Sequence, residues 1–144
     1  MRTILIFCLV LANSLALSAQ RIDSTITKKK IGLISVENSK TTENGTTSYS
    51  VTLSFRDGRY QAIEEYGVII LSDQNSVDTL IADLTDAKKY IGGKVSWTLK
   101  RTFYQVAVTN GKWITIEDTH GAFTNINVSQ ADKIIEWLRS VKMS

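Results

Sequence analysis

The chain has 144 residues, with 17 Lys and Arg against 14 Asp and Glu, a net charge of +3 that is too small to argue for a nucleic-acid partner. Its 43% hydrophobic content excludes a disordered chain. A single cysteine and a single histidine supply neither a disulfide framework nor the ligand set of a zinc site.

The N-terminus, MRTILIFCLVLANSLALSAQ, carries Arg2, an unbroken apolar run from Ile4 to Ala12, and the small residues Ala16, Ser18 and Ala19. That three-part layout reads as a secretory signal peptide over residues 1–19. The run is well short of the roughly 20 residues that cross a bilayer, so no transmembrane segment is expected. Cleavage after Ser18 places small residues at both recognition positions, whereas cleavage after Ala19 releases a chain starting at Gln20. Either product is exported, periplasmic or extracellular. Cys8 falls inside the leader behind bulky Phe7, which argues against lipid attachment. Residues 20–144 are then one cysteine-free domain that stands on its hydrophobic core.

Residues 20–30 read as a flexible entry ending in Lys28, Lys29 and Lys30, a run that suits a solvated arm or, alternatively, an anionic lipid or polysaccharide surface. Ile31–Glu37 reads as a short strand, and 38–47 as a polar loop with Asn44-Gly45 at its tip. Beyond it Tyr49, Val51, Leu53 and Phe55 alternate with polar residues, the period of a strand with one dry face. Asp57-Gly58 predicts a two-residue hairpin that sets Phe55 opposite Tyr60, Val51 opposite Glu64 and Tyr49 opposite Tyr66. This third strand continues to Leu71.

Val77, Leu80, Ile81, Leu84, Ala87 and Ile91 recur at helical spacing, with Ser72 or Asp73 as N-cap and Gly92-Gly93 as the stop. Val95–Thr109 returns to strand, with a change of phase near Phe103-Tyr104 that reads as a bulge or bend. Asn110-Gly111 predicts a second hairpin, pairing Val108 with Trp113, and His120-Gly121 a third turn between Trp113–Asp118 and Phe123–Val128. A closing helix carries Ala131, Ile134, Ile135, Leu138 and Val141, capped by Ser129 with Asp132. The expected fold is α+β: an antiparallel, meander-rich sheet of about six strands with two amphipathic helices, in βββα-βββα order. DTLIADL (78–84) and DKIIEWL (132–138) follow their glycine turns at nearly equal distances, which suggests chance convergence or a duplication with a groove between the halves.

Candidate chemistry is sparse. Histidine, like Asn and Asp, enters the left-handed region readily, so His120 before Gly121 reads as a turn residue. Its neighbours Glu117 and Asp118 point to opposite faces of their strand. No metal and no cofactor is expected. Glu64 falls on the apolar side among Tyr49, Tyr60 and Tyr66, and a buried acid flanked by tyrosines can carry a raised pKa. Glu64, Tyr66 and His120 are therefore the candidates for acid–base catalysis. Asp78, Asp83 and Asp86 lie off the helical stripe and read as solvated.

Apolar residues fall on both faces of the C-terminal sheet. Either helices cover both, or one face is left for a partner, with Trp97, Tyr104 and Trp113 as the binding residues. Nucleophile motifs and phosphate-cradling glycine loops are missing. The sequence thus favours an exported non-enzymatic domain that binds a protein or a small apolar ligand. The acid–base enzyme centred on Glu64 and the anionic-surface module are the alternatives.

Overall fold

A computed structural model describes residues 22–58 and 66–143. The leader, Tyr60 and Glu64 lie outside the described residues. In chain order the elements are β1 (Ile22–Ile31), β2 (Ile34–Glu43), β3 (Thr46–Arg56), β4 (Tyr66–Leu71), α1 (Gln74–Lys88), β5 (Trp97–Lys100), β6 (Tyr104–Thr109), β7 (Trp113–Asp118), β8 (Phe123–Ile126) and α2 (Val128–Ser140). The strands form two antiparallel four-stranded meanders, β1-β2-β3-β4 and β5-β6-β7-β8, each followed by its helix.

The class is α+β as expected, but one six-stranded sheet in βββα order is corrected to eight strands in two sheets. The two unforeseen strands have different origins. Residues 22–31 are a strand paired with β2 along its whole length rather than a flexible entry. Every side chain from Ile22 to Lys30 is exposed, so no dry face imprints a period on the sequence. The polar stretch after Glu37 is likewise strand, turned by Asn44 and Gly45 at φ 51° and 78°, the left-handed pair of a tight hairpin. The phase change near Phe103 is a full reversal: the Arg101 amide donates to the Tyr104 carbonyl at 2.8 Å, closing β5 onto β6.

Register also departs from expectation. Phe55 pairs with Gly67, Leu53 with Ile69 and Val51 with Leu71, so Asp57-Gly58 does not close a two-residue hairpin. This register buries Ile69 and Leu71 and turns Tyr66, Val68 and Ile70 outward. Gly67 makes it possible, because a Cβ there would stand 2.2 Å from the Phe55 ring. In the second meander Thr109 pairs with Trp113, Val108 with Ile114 and Val106 with Ile116. The loop is therefore three residues, with Asn110 and Gly111 left-handed. One residue of slip exchanges the faces of a strand. Here it collects Val106, Val108, Ile114 and Ile116 on one buried side, and the expectation of two apolar faces is withdrawn.

Both helices cover these inner faces, α1 on β4, β6 and β7, α2 on β1 and β7, and they pack on each other over one shared core. In α1, Val77, Leu80, Leu84 and Ala87 are buried, and each fully buried Val or Leu is worth about 1.5–3 kcal/mol. Asp73 is its cap, accepting from the Ser76 amide at 2.7 Å. The cap of α2 is Asn127, not Ser129. Asn127 and Gln130 exchange hydrogen bonds of 2.9 and 3.0 Å, because the helix starts directly after β8. Asp132, released from capping, pairs with Lys88 across the helix interface.

Candidate functional site

The most organised polar cluster joins α1 to the β5–β6 turn. Asp83 lies three residues beyond Leu80 and four before Ala87, on the buried side of its helix, and only 2% of it is exposed. Its carboxylate accepts two bonds from Arg101, Nε to Oδ2 at 2.9 Å and Nη2 to Oδ1 at 2.7 Å, and one from the Tyr104 hydroxyl to Oδ2 at 2.7 Å. The expectation that Asp83 is solvated is thus corrected, while Asp78 and Asp86 are exposed. Burial first, then the hydrogen bond to Asp83, pushes the Tyr104 phenol above its ordinary pKa. The same carboxylate, chiefly through its hydrogen bond, raises the Arg101 guanidinium further.

Asp118, at the end of β7, is a second buried carboxylate. Its Oδ1 accepts from the His120 and Ala122 amides at 2.8 and 3.0 Å, and its Oδ2 from the Val68 amide of β4 at 3.1 Å. It therefore shapes its own turn and also ties the second sheet to the first. His120 sits in this turn with its side chain 89% exposed and Nδ1 3.9 Å from Asp118 Oδ2. The left-handed residue is Gly121, at φ 82°, and not His120.

The remaining sequence candidates are dispersed. Tyr66 points outward and is exposed. Trp97 pairs with Val108 on the inner face, where its ring stacks on Tyr90 with centroids 5.3 Å apart. Tyr104 is buried on that face, and Trp113 is 48% exposed on the other. Trp97, Tyr104 and Trp113 do not share a surface.

The lysine run is split by the strand. Lys28 and Lys30 pair with Glu37 and Ser35 and share the outer side of β1, while Lys29, opposite Val36, takes the other. Lys28 and Lys30 join Arg56, Ser35, Ser54 and Tyr66 around a groove of about 470 Å³, with Leu33 beside them at the β1–β2 turn, 65% exposed. None of the described residues lining it is acidic. Lys28 reaches Glu37 at 3.7 Å, a largely exposed pair of little energetic weight.

The second meander has a recess at the corresponding place. Strand pairing sets Lys100, Gln105 and Glu117 where the first has Lys30, Ser35 and Ser54. Lys100 and Arg101 are balanced there by Glu117 and Asp118. The groove of the first meander differs in having no acidic residue among its described lining.

Among the described residues no group of three His, Cys, Asp or Glu could hold a metal, and no helix is long and apolar enough to cross a membrane. No known family model matches the chain, and comparison with curated proteins and with solved structures found no match.

Proposed function

We propose that the chain is an exported, non-enzymatic binding module that docks on anionic phospholipid surfaces through the groove of Lys28, Lys30 and Arg56. The observation that carries this reading is the convergence of three cations, two serine hydroxyls and a tyrosine on one groove, beside an exposed leucine at a turn. Each Lys or Arg near an anionic surface contributes about 1 kcal/mol. Leu33 adds an apolar contact at the acyl boundary. Binding of that strength is reversible and screened by salt. The leader pattern of residues 1–19 supports export.

The test is co-sedimentation of residues 20–144 with vesicles containing one-third phosphatidylglycerol, against neutral phosphatidylcholine. Lys28→Glu with Lys30→Glu is expected to weaken binding to the anionic vesicles by about tenfold or more, and added salt to do the same. Equal binding to neutral vesicles, or indifference to the two substitutions, overturns the reading.

A further inference from the structure

A second recess, independent of the lysine groove, lies between the first turns of α1 and the β5–β6 turn. It holds about 210 Å³ and is lined by Leu71, Asn75, Ser76, Thr79, Arg101 and Phe103 among others. We propose that it binds a carboxylate bearing an apolar group the size of one amino-acid side chain.

Arg101 carries the argument. Its Nε and one Nη2 hydrogen are committed to Asp83, which aims the opposite edge of the planar guanidinium, Nη1 with the second Nη2 hydrogen, away from the buried carboxylate. That edge is a two-hydrogen fork, and the Arg101 side chain is 41% exposed. Two parallel N–H donors match the two oxygens of a carboxylate. Asp83 itself is fixed by the Tyr104 hydroxyl, so the fork is positioned before any ligand arrives.

The other walls suit the same ligand. Asn75, Ser76 and Thr79 form the helix side, where the Asp73 carboxylate already caps the end of α1 by accepting from the Ser76 amide at 2.7 Å, so the attraction for an anion comes from Arg101. Leu71 forms an apolar wall, and the exposed Phe103 ring stands at the mouth.

The molecule contains its own comparison. Pairing of the first meander puts Ile31, Leu33 and Ile34 where the second has Arg101, Phe103 and Tyr104, and α2 carries Trp137 where α1 carries Asp83. An apolar solution to this corner therefore exists in the same chain. Apolar packing would fill the corner without a charge, and what the Asp83 carboxylate adds here is a fixed position for the half-exposed Arg101 guanidinium.

The probes are N-acetyl-leucine, its amide, and a short peptide ending in leucine with a free carboxylate, titrated into the isotope-labelled mature chain. N-acetyl-leucine and the peptide are expected to shift the Ser76, Phe103 and Arg101 Nε resonances saturably, and the amide to leave them in place. Tighter binding of the peptide points to a chain terminus as the source, and equal affinity to a free small acid. Thr79→Phe, which fills the recess from the helix surface, and Arg101→Lys, which loses the second edge, should each weaken N-acetyl-leucine by about tenfold or more. Equal shifts with the amide, no saturable shift with either acid, or undiminished affinity in Thr79→Phe overturns the proposal. Thr79→Phe keeps the test decisive if Arg101→Lys fails to fold.

Discussion

Asp83 is a charged residue that α1 presents inward, and its three hydrogen bonds explain how the fold tolerates it. Removing the Tyr104 hydroxyl with Tyr104→Phe takes one donor from a buried carboxylate and should cost about 1.5–3 kcal/mol in urea unfolding. Asp83→Ala should cost about 3 kcal/mol, since it strands the Tyr104 hydroxyl as well as Arg101. The phenol adds a pH signature. Its pKa is raised in the folded chain, so the native state holds that proton more tightly than the unfolded state does. The contribution is whole below the unfolded phenol value of about 10 and is lost as pH climbs from there toward the folded value. Stability of the wild-type chain should therefore fall more steeply above that point than stability of Tyr104→Phe, and equal slopes would contradict the assignment. Asp83 was legible in the sequence, because its spacing from Leu80 and Ala87 is the spacing of the stripe. Sorting charged residues to the outside concealed it.

At the scale of elements, the helices and the strands with one dry face were readable because each has a period. Turn positions were readable too, as Asn44-Gly45, Asn110-Gly111 and His120-Gly121 all reverse the chain. Register was not, because an Xaa-Gly pair fits loops of two, three or four residues, and only packing of the paired faces decides among them. The polar ribbon of β1, the end of β2 and the start of β3 was hidden for a different reason: strands wetted on both sides leave no alternation. Helix starts show the same limit on a small scale, since Asn127 and Ser129 are both good caps and the difference is where β8 ends. Asn127→Ala should lower stability by about 1 kcal/mol, while Ser129→Ala should stay within about 0.5 kcal/mol. Thermal unfolding of the two variants decides it, and the reverse order would move the helix start.

Across the whole molecule the two halves correspond in their helices and in the paired core of their sheets. Caps Asp73 and Asn127, box partners Ser76 and Gln130, and buried Leu80 and Ile134, Leu84 and Leu138 stand at the same spacing from one half to the other. The sheets match likewise until the turn end, where Ile31, Ile34 and Phe55 give way to Arg101, Tyr104 and Asp118. These polar replacements reach across the divide. Arg101 and Tyr104 bond Asp83 of the first half, and Asp118 bonds the Val68 amide of β4. The halves are thus joined by a common core and by directional bonds supplied from the second. Asp118→Asn keeps the shape but offers one acceptor where three amides converge, so an NH₂ group must confront either Val68 or the His120 and Ala122 pair. The cost should be about 2 kcal/mol or more, and because the bonds are local the loss should be local. Hydrogen exchange should quicken at Val68, His120 and Ala122 while the amides pairing β2 with β3 keep their protection. If Val68 stays protected and stability is unchanged, Asp118 does not help to hold the two sheets together.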